Sequence, residues 1–178
     1  MLQKILVALD HSDMQHVVFN EALALAKAMN ARLLLLHVIT LEELNIVLPA
    51  VYPYSPTLSQ SMIDLYAQQR EELHNRGLNM LKRLEATATA AGVVTEFTQN
   101  LGSPGQAICT LARDYQADAI VMGRRGHSGL GELLVGSSSN YVLHHAPCSV
   151  MIIQGKSTVR PEPVETEPVA MPEAAAVG

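Results

Sequence analysis

The sequence predicts a doubly wound α/β domain, in which a parallel sheet carries helices on both of its faces. Five short apolar runs alternate with four segments in which apolar residues recur every three or four positions. Residues 5–9 and 33–39 are almost continuously apolar, which is typical of strands covered on both sides. We expect the crossovers between successive strands to be right-handed.

The first half of the chain opens with a strand at residues 5–9, which ends at the turn formers of residues 10–13. Asn30 suits the left-handed conformation that ends the helix after this strand. The second strand covers residues 33–39, and three prolines within residues 40–57 then predict an irregular loop. We expect the first helix to bury Val18, Ala22, Leu25 and Met29.

A long helix is predicted over residues 58–91, and Gly92 is placed to end it. The alternating pattern of residues 93–98 indicates a strand near the edge of the sheet, with one face exposed to solvent. The helix is expected to bury Leu73, Leu81, Leu84 and Ala88.

The next helix starts at Ser103 and Pro104, where a capping hydroxyl precedes a proline at the first helical position. A fourth strand is predicted at residues 119–122, a short helix at 137–145 and a fifth strand at 149–153. The helix that begins at Pro104 is expected to bury Ile108, Leu111, Ala112 and Tyr115.

The domain is expected to cover residues 1–154, followed by a disordered tail rich in Pro, Glu and Ala at residues 155–178. The tail holds four of the nine prolines and four glutamates, and it has no apolar period. Such a segment cannot bury enough apolar surface to offset the entropy lost on folding.

Composition excludes several classes of partner. The net charge is −5 and no run of Lys or Arg is present, so nucleic acid is not an expected ligand. No signal peptide is recognisable and no apolar run approaches the ~20 residues that span a membrane, so we expect a cytoplasmic protein. Cys109 and Cys148 lie in apolar surroundings, and we expect two buried, reduced thiols.

The fourth strand is followed by a glycine motif with a phosphate-binding pattern. Gly123 and Gly126 are separated by two residues, and Gly136 and Ser137 follow after nine intervening residues. Glycines let a ligand approach backbone N–H groups closely, and successive N–H groups can form an anion-binding nest. Gly136 also stands where a helix begins, and the free N–H groups there favour phosphate. The alternative is a flexible glycine-rich loop that binds nothing.

Asp10 ends the first strand, and in a doubly wound sheet the first and fourth strands are neighbours. Asp10 would then face the glycine motif and could accept ribose hydroxyls; alternatively, Asp10 and Ser12 merely cap the first helix. Arg124 and Arg125 follow Gly123, and a guanidinium there could reach a phosphate oxygen. A divalent cation, Mg²⁺ or Mn²⁺, would be held mainly by the nucleotide phosphates.

Other nucleotide and hydrolase motifs are missing. There is no dinucleotide fingerprint after the first strand, no Walker motif and no nucleophile elbow. No nucleophile and base are recognisable as a pair, so the sequence favours binding over fast catalysis.

These motifs resemble the universal stress protein family, in its ATP-binding branch, over about residues 2–154. The resemblance rests on residues 5–10 with Ser12, on His37 and Val38, on the glycine motif and on residues 146–150. It implies a Rossmann-like fold of the adenine nucleotide alpha hydrolase type, with a five-stranded parallel sheet of order 3-2-1-4-5.

The resemblance also implies a site for ATP or another adenine nucleotide, and a regulatory role in stress. The backbone near Ala8 and Val38 would meet the adenine, Asp10 would lie near the nucleoside, and Met122 would line the pocket. The ribose and phosphates would be held by Gly123, Arg125, Gly126, Gly136, Ser137 and Ser138.

The family implies a homodimer formed by pairing of the last strands, here from Val150 to Ile153. This run is also too apolar for an exposed sheet edge. Two other functions stay open: a slow Mg²⁺-dependent ATPase, and a nucleotide-free dimerisation module that acts through partners.

Overall fold

The computed structural model describes residues 2–44, 60–124 and 136–154, where five strands alternate with four helices. The strands are β1 (Lys4–Leu9), β2 (Arg32–Ile39), β3 (Thr95–Leu101), β4 (Ala119–Gly123) and β5 (Ser149–Ile153). The helices are α1 (Gln15–Met29), α2 (Gln60–Ala90), α3 (Pro104–Tyr115) and α4 (Ser137–His145). The tail from residue 155 onward lies outside the described residues.

The strands form one parallel sheet of order β3-β2-β1-β4-β5, which confirms the predicted fold class and strand order. β1 is central and pairs with β2 on one side and β4 on the other. β2 and β3 lie on one side of β1, and β4 and β5 lie on the other. The connections that leave β1 and β4 therefore run to opposite sides, and a crevice opens between them. Ala8 sits beside Leu36 and Met122 in the paired register.

Two apolar layers cover the two faces of the sheet. On one face Val7, Leu33 and Leu35 pack with buried residues of α1 and α2. On the other face Leu36 and Ile120 pack with buried residues of α3 and α4. Alternate residues along each strand therefore point to different helix pairs, which explains the nearly continuous apolar runs.

The predicted helix ends are largely confirmed. Asn30 is left-handed with φ 51° and follows α1, and Gly92 has φ +83° just beyond α2. Gln116 also ends α3 in the left-handed conformation, with φ 56°, which the sequence pattern did not predict. Ser103 stands at the N-cap of α3 before Pro104, but its side chain makes no capping hydrogen bond, so that detail of the prediction was wrong.

The buried faces of three helices differ from the predicted ones, and in α3 Leu111 and Tyr115 are only partly buried. α1 buries Phe19 and Ala26 fully, whereas Leu25 and Met29 are only partly buried. In α2 the buried stripe begins at Gly77, so Leu73 is only half-buried. The spacing of apolar residues predicts which face of a helix is buried, but it does not predict how far along the helix the neighbouring strands extend.

α2 is longer than the sheet it packs on. Its 31 residues extend about 46 Å, whereas the eight residues of β2 extend about 26 Å. Because α2 runs antiparallel to the strands, its first half projects past their carboxyl ends. None of the described helices has the length and apolarity that a membrane span needs.

Candidate functional site

A cavity of about 510 Å³ lies at the carboxyl ends of β1, β2 and β4. Its walls come from these strand ends, the start of α1, residues 40–43 after β2, and the first turns of α3 and α4. Ligand pockets of parallel α/β sheets form at this place because the strand order reverses there. The volume falls within the range of about 300–1,000 Å³ that is common for small-molecule sites.

Seven of the ten predicted site residues line this cavity. The other three are Gly136, Arg125 and Gly126. Gly136 is the N-cap of α4, where its N–H donates to the carbonyl oxygen of Arg124 at 3.1 Å. Arg125 and Gly126 lie outside the described residues. The seven lining residues are Ala8, Asp10, Val38, Met122, Gly123, Ser137 and Ser138.

Asp10 lies at the carboxyl end of β1, and its carboxylate accepts hydrogen bonds from a neighbouring residue. One oxygen accepts the N–H of Ser12 at 3.1 Å and the hydroxyl of the same serine. Helix α1 begins later, at Gln15, with Met14 at its N-cap and no side-chain capping bond. The alternative in which Asp10 and Ser12 cap the first helix is therefore wrong. Asp10 therefore shapes the turn after β1.

The start of α4 is fastened to the end of β4 by Ser139, which the sequence analysis missed. Its buried hydroxyl donates to the carbonyl oxygens of Arg124 and Gly136, both at 3.0 Å. Ser137 and Ser138 precede it on the cavity wall. The first-turn N–H groups of a helix have no intrahelical acceptor, so this anchored helix end offers donors to an anion.

The opposite side of the crevice carries two glutamates that the sequence analysis also missed, Glu42 and Glu43. One carboxylate oxygen of Glu43 accepts the Thr40 N–H at 2.8 Å, and the Thr40 hydroxyl accepts the Glu43 N–H at 3.1 Å. This reciprocal pair has the form of a capping box. The pattern Thr-x-x-Glu at residues 40–43 was a readable signal for it.

The two sides of the crevice differ in charge. Glu42 and Glu43 follow β2, whereas α4 starts beyond β4, and β1 separates the two sides. An anionic group would be repelled by the glutamates and attracted by the helix N-terminus. Leu36, Val38 and Ile108 give the cavity an apolar wall near the glutamates. The crevice therefore suits a ligand with an apolar end and an anionic end.

No group of three or more His, Cys, Asp or Glu side chains is placed to hold a metal ion within residues 2–44, 60–124 and 136–154. Cys109 is buried as predicted, whereas Cys148 is only half-buried and is thus less buried than the sequence predicted.

The fold and the crevice define a class of protein: a doubly wound parallel α/β domain with a ligand-sized cavity at its switch point and a helix N-terminus on one wall. The family model described as the universal stress protein family matches residues 1–154. The chain belongs to that family, as its motifs predicted.

The universal stress protein Sll1388 of Synechocystis sp. is 32% identical over 152 residues, which cover 85% of this chain and 97% of that protein. A universal stress protein solved in complex with cAMP has a TM-score of 0.56 at 25% identity, covering 86% of this chain and 97% of its own. A family protein of Arabidopsis thaliana solved with AMP bound shares the fold, with a TM-score of 0.57, 22% identity and coverage of 85% and 91%.

Proposed function

We propose that this protein binds an adenine nucleotide, ATP included, in the crevice between β1 and β4. The observation that carries the proposal is the polarity of the cavity, with an apolar wall at Val38 and the start of α4 on the other side of β1. The family member solved with cAMP supports an adenine nucleotide as the ligand class.

In this arrangement the base packs against Val38 and Met122, and the ribose hydroxyls donate to Asp10. The phosphates receive hydrogen bonds from the backbone of Gly123 and from the start of α4, with Arg125 and Gly126 as further contacts by the family motif. A divalent cation, when bound, screens the phosphate charge, and it is carried on the phosphates rather than by a protein ligand set.

The first experiment identifies the ligand. The purified chain is heat-denatured, the released small molecules are separated by chromatography, and the emptied, refolded protein is titrated with ATP, ADP, AMP and cAMP. We expect a co-purified adenine nucleotide and saturable binding of at least one of the four. An empty protein that binds none of them would refute the proposal.

Asp10→Asn tests the ribose contact. The substitution keeps the size of the side chain but removes a charged acceptor, and hydrogen bonds to charged groups contribute about 1.5–3 kcal/mol. We expect the dissociation constant to rise about tenfold or more. The matched control is Asp114→Asn on the exposed face of α3, which should bind as the unmodified protein does; equal affinities for all three proteins would remove Asp10 from the site.

We further propose a homodimer built on β5, through which ligand binding acts in regulation. β5 is an outer strand of the sheet, and Met151 on it is 40% exposed. Unpaired apolar strand edges favour pairing with a second chain. Met151→Lys should shift light-scattering mass toward the monomer, whereas Leu101→Lys on the other outer strand, β3, should not. A dimer unaffected by Met151→Lys would contradict this assignment.

A further inference from the structure

A buried polar cluster lies under α2, on the side of the sheet opposite Leu36 and Val38. At its centre is His37, which is 2% exposed. Its Nδ1 lies 2.9 Å from the side-chain Nε2 of Gln99 on β3. Because an amide nitrogen is a donor, Nδ1 acts as the acceptor, and the imidazole is neutral with its proton on Nε2.

Two polar atoms of the cluster are unsatisfied within the described parts of the chain. There, His37 Nε2 and Gln99 Oε1 are both buried and have no hydrogen-bond partner. A protonated imidazole carries N–H groups on both nitrogens, so the Gln99 amide would have to turn over to present Oε1 to Nδ1. The positive charge would also have to stay in a site with little water, which is costly.

α2 crosses this cluster at Gly77 with no space between. A Cβ atom on that residue would overlap Gln99 Nε2 and lie 2.7 Å from His37 Nδ1. The glycine therefore lets the middle of α2 press directly on the histidine and the glutamine. A displacement of the His37 or Gln99 side chain toward α2 would therefore collide with the helix.

Charged groups reach His37 from several of the surrounding elements. His11, from the turn after β1, has its ring centre 4.8 Å from that of His37. Asp10 comes from the same turn, Glu43 from the segment after β2, and Arg76 from α2. Burial lowers the pKa of His37 below 6.5, His11 and Arg76 lower it further, and Glu43 and Asp10 oppose the change.

We propose that His37 is a proton-operated latch between α2 and the carboxyl end of the sheet. Neutral His37 holds Gly77 and Gln99 in close packing. Protonation in mild acid turns the Gln99 amide, draws the Glu43 carboxylate away from Thr40 toward the imidazolium, and releases the middle of α2 from β2 and β3.

The direction of the pH dependence follows from which of the two states, latched or released, binds the proton more tightly. Above pH 6.5 His37 is neutral in both the latched and the released state, so pH has no effect through this group. Below pH 6.5 the released state takes up the proton first, because its imidazole is hydrated. Release therefore becomes easier as pH falls, by up to about tenfold in its equilibrium constant per pH unit for one proton.

The test uses the full chain after any co-purified small molecule has been removed, so its outcome does not depend on nucleotide binding. NMR follows the ring protons of His37 and the hydrogen-exchange protection factors of residues 77–84, with those of β1 for comparison, from pH 7.5 to 5.0. We expect His37 to titrate below 6.5, and protection at residues 77–84 to fall by up to about tenfold per pH unit while β1 keeps its protection.

His37→Gln supplies the variant, and His74→Gln, on the exposed surface of α2, supplies the matched control. The latch predicts that protection at residues 77–84 becomes independent of pH in His37→Gln and stays pH-dependent in His74→Gln. Should His37→Gln fail to fold, the wild-type titration alone decides. A His37 ring that titrates at 6.5 or above, or protection that falls equally in α2 and β1, overturns the proposal.

Discussion

Gly105→Ala is the sharpest test of how the two helices beside the cavity are packed. Gly105 is buried in the first turn of α3, where it meets Tyr141 of α4. An added Cβ would lie 2.9 Å from the Cβ and Cδ1 atoms of Tyr141 and 3.0 Å from Cγ. The ring can rotate away, but the Tyr141 Cβ is fixed to its backbone.

The loss of stability expected for Gly105→Ala follows from this geometry. Carbon atoms pack at about 3.5–4.0 Å, so α3 and α4 must separate by roughly 0.6–1.1 Å. Overpacking of this kind costs about 1–3 kcal/mol, and alanine regains about 0.5–1 kcal/mol over glycine in a helix. We expect the free energy of unfolding to fall by about 1.25 kcal/mol, the difference between the midpoints of these two ranges.

Urea unfolding followed by circular dichroism measures this loss, and Gln106→Ala, one residue further along on the exposed side of α3, is the control. Because α3 also places Pro104 and Ile108 on the cavity wall, the same shift should weaken nucleotide binding. A Gly105→Ala protein as stable as the unmodified chain would refute the close-packing argument.

Two further predictions concern titratable groups. The Asp118 carboxylate accepts the N–H groups of Gln3 at 2.7 Å and Lys4 at 2.9 Å, and these bonds lower its pKa below the ordinary 3.8. Asp118→Asn should therefore lower the urea midpoint at pH 7, and the gap to the unmodified protein should close as pH falls below 3.8, since a depressed carboxyl pKa stabilises only above it. Burial raises the pKa of the Cys109 and Cys148 thiols, so iodoacetamide at pH 7.5 should modify both slowly in the native protein and rapidly in urea, and fast native labelling would contradict the burial of these thiols.

Much of the fold could be predicted because its signals are local. Continuous apolar runs such as residues 33–39 indicate strands with two covered faces, and Asn30 and Gly92 mark helix ends by the backbone conformations they adopt. The predicted bounds of β5 and α4 agree with the structure residue for residue. The spacing of apolar residues along α2 could not show which of its turns lie over the sheet, because that depends on the length of the strands.

The candidate site was predictable only where a residue type is tied to a backbone position. Asp10, Gly123 and Ser137 follow strands or start helices, and all three line the cavity. Glu43 and Ile108 reach it from elements that carry no ligand-binding pattern of their own, so only the packing of the chain brings them there. The pairing of His37 with Gln99 across 62 residues is likewise a property of the sheet register.

The register also explains how one strand end can serve two purposes. Side chains alternate along β2, so Leu36 and Val38 face the cavity while His37 faces α2. Two carboxylates belong to both places, since Asp10 and Glu43 each line the cavity and their charges act on His37. An anionic ligand would repel the Glu43 carboxylate toward His37, and a protonated His37 would attract it away from the ligand. Because coupling between two binding equilibria is reciprocal, nucleotide and proton should each favour the binding of the other through this carboxylate.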